Sequence, residues 1–185
     1  MPSGGDQFEG LLEAMRRAAA TLRDAQIPFA LAGGLAVWAH GGPDTDHDVD
    51  FILKEEDVDR ALEALEKDGF RSEKPPEGWL VKVYDGSCMI DLIFSPSGMT
   101  VDDGILERAG QMDVYAIRMR VLSVTDILAT KLFALKEHEV DYEDVLEIAR
   151  ACREQVDWEN LRERTSSHPY AKAFFTLADE LGIAA

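Results

Sequence analysis

Three aspartates stand in or beside stretches that otherwise read as buried β-strands, and this placement constrains the fold more than any other feature. Asp48 and Asp50 flank Val49 just before the apolar run Phe51-Ile52-Leu53, and Asp91 sits inside Met89-Ile90-Asp91-Leu92-Ile93-Phe94. Side chains alternate faces along a strand, so Asp48 and Asp50 point one way while Val49 and Phe51 point to the core. A lone acid in a buried strand is costly unless it is paired or bound to metal. The bland alternatives are a solvated strand edge for the first pair and a salt-bridged structural acid for Asp91. The apolar run after Asp50 argues for a central strand, and no basic residue lies in the strand of Asp91 itself. Two carboxylates ~5 Å apart at an effective dielectric of ~20 repel by roughly 3 kcal/mol. Three in one place call for a cation, and an oxygen-only donor set suits Mg²⁺ or Mn²⁺ better than zinc.

The surrounding pattern supplies the scaffold. Phe8, Leu11, Leu12, Met15, Ala18, Ala19 and Leu22 recur at helical spacing and predict a helix over 6–26. Phe29-Ala30-Leu31-Ala32 predicts a short buried strand stopped by Gly33-Gly34, with a short helix starting at the glycines. Glycines at such a junction let backbone N–H groups approach a phosphate at a helix N-terminus, although for an isolated Gly-Gly a tight strand-to-helix turn is the favoured reading. A strand over 49–53 is followed by a helix over 54–69 with Gly69 beyond its end, then a loop containing Pro75-Pro76. Strands over 79–84 and 88–94 flank Asp85-Gly86, a strong hairpin signal. Residues 114–122 supply one more strand. Ser123 with Asp126 three residues on marks a helix start, and helices follow over 124–138, 141–154, 157–165 and 169–181. The predicted fold class is α/β (α+β): a mixed sheet with flanking helices over 1–122, then a C-terminal helical region over 123–185.

Charge narrows the partners. Lys and Arg total 19 against 36 Asp and Glu, a net charge of −17. That disfavours an extended nucleic acid, whose binding depends on clustered cations, and an anionic membrane surface. It suits a cationic small molecule or a protein hydroxyl. Cys88 and Cys152 have no CxxC spacing and read as buried free thiols. The longest apolar run, 29–39, is well short of the ~18 residues a membrane span needs, and no signal peptide is visible at the N-terminus. The chain reads as cytoplasmic.

Taken together, strand, Gly33-Gly34, helix, Asp48-Val49-Asp50 and Asp91 one hairpin later resemble the nucleotidyltransferase superfamily related to DNA polymerase β. The stretch Ala32-Gly33-Gly34-Leu35-Ala36-Val37-Trp38, with His47-Asp48-Val49-Asp50, looks similar to small bacterial members. Those include AbiEii-like toxins and aminoglycoside and lincosamide nucleotidyltransferases. The resemblance covers residues 27–95, and extends to Lys131 and the Asp141-Tyr142-Glu143-Asp144 segment. It implies an enzyme that moves a nucleoside monophosphate from an NTP to an acceptor hydroxyl with Mg²⁺ or Mn²⁺. By position, Gly33 and Gly34 would hold the triphosphate. Asp48, Asp50 and Asp91 would hold metal, and Asp91 would serve in some members as base. The AbiEii-like resemblance leaves a tRNA end as acceptor and an antitoxin as partner open. A non-catalytic nucleotide-binding or toxin–antitoxin module that keeps the fold is the alternative.

The thirteen-residue spacer, 35–47, carries Asp44 and Asp46 and no Lys or Arg. Phosphate charge must then be met by metal, by backbone, or by Lys131, Arg118 or Arg120. Lys131 lies in an otherwise apolar helix, where it either snorkels or meets phosphate; the resemblance favours phosphate. Asp141 and Asp144 either position Lys131 or form a solvated acidic face. His47 reads as a turn residue beside the acids, and Trp79 and Trp158 as packing residues.

Overall fold

The computed structural model describes residues 4–45, 48–76 and 78–184, with side chains described from residue 7 onward. His47 and Asp46 lie outside the described residues. Helix α1 (Gly4–Asp24) leads into β1 (Phe29–Ala32), α2 (Gly33–Ala39) and β2 (Val49–Leu53). Then come α3 (Val58–Lys67), β3 (Arg71–Glu73), β4 (Leu80–Asp85), β5 (Cys88–Ile93), α4 (Asp103–Arg108), β6 (Gly110–Val114) and β7 (Ile117–Val121). Four helices close the chain: α5 (Val124–Ala134), α6 (Glu143–Ala151), α7 (Trp158–Thr165) and α8 (Pro169–Glu180). The strands form one seven-stranded mixed sheet in the order β3-β4-β5-β2-β1-β7-β6. The chain is therefore mixed α/β with a helical C-terminal stretch.

The sheet has two unlike faces. Val49, Phe51, Leu53, Ile90, Leu92, Val81 and Val83 alternate to one side and are buried. Helix α1 packs there, since Gly10 lies against the Cys88 sulfur. Each such Leu- or Phe-sized side chain contributes roughly 1.5–3 kcal/mol on burial. The opposite face carries Asp50, Ile52, Asp91, Ile93 and Lys82, while α2 packs on β1, β2 and α5. A single cluster of buried apolar residues runs from Leu11 through Phe51 and Leu128 to Phe174 and Ile183.

Several predicted elements change on inspection. Residues 114–122 are the second half of a hairpin, β6–β7, whose turn residues Tyr115 and Ala116 both adopt left-handed backbone, φ 46° and 63°. Residues 71–73, inside the predicted helix-to-loop stretch, add an edge strand against β4. Helix α4 starts where the Asp102 side chain accepts the Ile105 N–H at 2.9 Å. Helix α5 stops at Ala134, because Leu135 is extended and Lys136 bridges back to Glu139. Its start is as read: Ser123 accepts the Asp126 N–H, and its hydroxyl donates to Asp126 Oδ2 at 2.7 Å. Arg164 from α7 reaches the other oxygen of Asp126 at 2.7 Å, which ties the C-terminal helices together. Among the described residues, no helix is long and apolar enough to cross a membrane.

Candidate active site

Sheet register brings the three acids together. β2 and β5 run parallel with Asp50 opposite Asp91, and β1 runs antiparallel to β2 with Ala32 opposite Asp50. Asp48, Asp50 and Asp91 each present an oxygen within 4.8 Å of the others. Asp91 is buried, and Asp48 and Asp50 are half-buried. Burial and the charges of Asp48 and Asp91 push the Asp50 carboxyl up to about 7, outweighing Lys131 and Lys82, which pull it down. This is the electrostatic signature of a site short of positive charge. Three convergent carboxylates with no nitrogen or sulfur donor fit a hard divalent cation.

The glycines are fixed by this geometry. Gly33 has φ 58°, and a Cβ there would stand 1.7 Å from Asp50 Oδ2. A Cβ on Gly34 would meet the Thr45 hydroxyl at 2.6 Å. Any side chain at position 33 would strain the backbone and displace the central acid. The first turn of α2 has no side-chain cap, and Gly33 and Gly34 line a cleft of about 200 Å³ with Asp48, Asp50, Thr45 and Lys131. Lys131 stands half-buried on α5, with its ammonium 3.4 Å from Asp144 Oδ2. Asp141 instead precedes α6 and accepts the Glu143 N–H at 2.9 Å, a cap to that helix. The acidic pair thus splits into one lysine partner and one cap.

Two expectations fail. Arg118 and Arg120 line a depression with Arg23 and Phe29 at the start of β1, not the cleft of Gly33, Gly34 and Lys131, so the structure does not place them to meet phosphate charge there. Trp79 is 41% exposed, too open to be a packing residue, and it lines a second, larger cleft beside Asp50. Sequence reading also missed Lys82. It sits directly across from Asp91 on β4, and its ammonium donates to both carboxylate oxygens at 3.1 and 3.3 Å. Burial raises the Asp91 carboxyl, and Lys82 opposes the rise. The signal was present as cross-strand register through the Asp85-Gly86 turn, which pairs Lys82 with Asp91 once Asp85 faces Cys88.

Lys131 offers a direct measurement. Its pair with Asp144 is largely solvent-exposed, so Lys131→Ala should cost the fold little. A charge-assisted hydrogen bond to phosphate is worth roughly 1.5–3 kcal/mol, so NTP affinity should fall about ten- to hundredfold. An unchanged nucleotide Kd in the variant would leave Lys131 as a snorkelling side chain with no phosphate role.

A family described as uncharacterised nucleotidyltransferase matches residues 7–179. No curated protein matches by sequence. Among solved structures, ANT(2'')-Ia in complex with adenylyl-2''-tobramycin is similar with a TM-score of 0.63 and 15% identity, over 88% of this chain and 98% of that one. The solution structure of ANT(2'')-Ia, described as an antibiotic-resistance factor with substrate-regulated conformation dynamics, gives 0.63 and 14% over 92% and 96%. The lincosamide antibiotic adenylyltransferase LnuA, lincomycin-bound, gives 0.51 and 13% over 74% and 94%. At these identities the likeness is one of fold.

Proposed function

This chain belongs to the family of uncharacterised nucleotidyltransferases, and from that premise we propose that it moves a nucleoside monophosphate from an NTP to the hydroxyl of a small-molecule acceptor. The observation that supports this most is the convergence of Asp48, Asp50 and Asp91, the first two of which line a cleft with Gly33, Gly34 and Lys131. The small-molecule acceptor is suggested by the adenylyl-2''-tobramycin and lincomycin of the structural neighbours. In this reading residues 1–122 are the catalytic core, and the helices of 123–185 wall the cleft.

Asp48, Asp50 and Asp91 would hold Mg²⁺ or Mn²⁺, which supplies neutralisation of phosphoryl charge and orientation of the reacting groups when bound. The chain's own residues do the rest. The N–H groups of Gly33 and Gly34, with the Lys131 ammonium, bind the triphosphate. The acceptor oxygen forms a bond to the α-phosphorus as the bond to the bridging oxygen of pyrophosphate breaks, and the acceptor proton passes to an Asp91 oxygen. Lys82 favours the ionised form of that carboxylate against the effect of burial and holds it by hydrogen bonds to both oxygens.

Incubation with α-labelled NTPs, Mg²⁺ and cell extract tests the proposal. Label should move from NTP to a new product, and the transfer should disappear in EDTA. Nucleotide binding without any labelled product would identify a non-catalytic nucleotide-binding module instead.

A further inference from the structure

The cleft has two lobes, and Asp50, Gly33 and Lys131 stand where they meet. We propose that the larger lobe is the acceptor site, and that its ligand is an amphipathic molecule with an apolar body, little net charge and a free hydroxyl. The inference rests on the nucleotidyl-transfer reading above and names the substrate class for it.

Position along β2 separates the lobes. The smaller lobe lies at the Asp48 end with Gly34 and Thr45, and the larger one, about 620 Å³, lies at the Ile52 end with Ile93. Asp48, just before β2, and Ile52 within it are four residues apart, roughly 13 Å. In-line phosphoryl transfer puts the entering and leaving oxygens on opposite sides of phosphorus. With pyrophosphate seated at Gly33 and Gly34, the acceptor hydroxyl enters from the Ile52 end. That is the side on which Ile93 follows Asp91 along the same sheet face.

The lining sets the chemistry. Ile52, Ile93, Met99, Leu122 and Ile127 make an apolar wall, completed by the exposed indole of Trp79. Its charged residues balance, with Lys131 and Lys136 against Asp50 and Glu139. The smaller lobe instead carries Asp44, Asp48, Asp50, Asp144 and Glu147 against Lys131 alone. The protein's net charge of −17 is thus not expressed in the larger lobe. A polycation would find no surplus of carboxylates there, and a nucleic-acid strand no cluster of cations. A cavity of this size suits a drug-sized ligand held by apolar contacts, with Ser95, Ser97 and Thr130 available to orient its hydroxyls. The outer wall is firmly held. Gly98 adopts φ 68°, and a Cβ there would stand 2.0 Å from the Phe133 ring, so the 95–99 loop is pressed onto α5.

Ala134→Trp tests this, because Ala134 is an exposed α5 residue that lines only the larger lobe. Thr130→Tyr, one turn earlier, is a second variant should the first fold poorly. Wild-type protein, α-labelled NTPs and Mg²⁺ are incubated with a small-molecule extract, and products are split into butanol-extractable and cation-exchanger-retained fractions. Label should enter the butanol fraction. The variants should cut that transfer at least about tenfold while NTP affinity stays within about twofold. Labelled product on the cation exchanger, or transfer unchanged in the variants, overturns the inference and leaves nucleotidyl transfer standing. Loss of NTP binding in the variants also overturns it, assigning the lobe to the nucleoside. No label in any fraction from wild-type protein overturns the transfer reading itself, and this inference with it.

Discussion

Asp50→Asn is expected to reduce nucleotidyl transfer to background and, in metal-free buffer above pH 7, to yield a protein more stable than its parent. The two effects share one cause. Asp50 is the central acid of three, with its oxygen within 4.8 Å of both others and no ion-pair partner of its own among the described residues. Its carboxyl is pushed up to about 7, first by burial and then by Asp48 and Asp91. The unfolded chain titrates near ~3.9, so the folded state holds this proton more tightly. Stability from this group is therefore greatest below about pH 4, falls as pH rises toward 7, and is flat beyond. Asparagine carries no such penalty. A shift of about three units corresponds to ~4 kcal/mol at most, and solvent access to this partly buried group brings it to roughly 1–3 kcal/mol. Urea unfolding of both proteins in EDTA at pH 5 and pH 8 measures it. The variant's advantage should be large at pH 8 and small at pH 5, and an equal offset at both would remove Asp50 as its source.

Asp91 should behave differently from Asp50. Its carboxylate is paired with Lys82, so Asp91→Ala strands a half-buried ammonium and should lower stability while abolishing transfer. Only cross-strand register distinguishes the two positions.

Legibility followed the range of the interactions involved. The strands that carry the acids, the Gly33-Gly34 junction and the Asp85-Gly86 hairpin were readable, because each depends on residues within a few positions of one another. The β6–β7 hairpin was half-hidden, because Tyr115 and Ala116 adopt positive φ without the glycine or asparagine that normally signals it. β3 is three residues long and gains its strand character only from pairing with β4. The grouping of Asp48, Asp50 and Asp91 was legible as a pattern. The cations around them were not, because Lys82, Lys131 and the two arginines of β7 differ only in where the sheet and α5 carry them. Net charge sums over the whole chain and does not describe the larger lobe, where Lys131 and Lys136 stand against Asp50 and Glu139.

Adding Mg²⁺ or Mn²⁺ with NTP should raise the melting temperature by about 5–10 °C, and EDTA should reverse it. The driving term is repulsion. Three carboxylates within 4.8 Å of each other repel pairwise by about 3 kcal/mol at an effective dielectric of ~20, and among the described residues this is offset in part by Lys82 at Asp91, by Lys131 near Asp50 and by the protonation tendency of Asp50. A divalent cation binds the folded arrangement and has no equivalent in the unfolded chain. At about 100 times its Kd, a ligand stabilises by ~2.7 kcal/mol, and each kcal/mol is worth roughly 2–4 °C in a domain of this size. The shift should grow with pH from 5 to 8, because below about 7 the metal must displace a proton from Asp50. It should shrink in Asp50→Asn even when NTP is present. Zinc should not reproduce it, since the donors are carboxylates without histidine or cysteine. A melting curve indifferent to Mg²⁺, Mn²⁺ and NTP together would separate the acid cluster from metal chemistry and reduce it to a charged feature of the sheet.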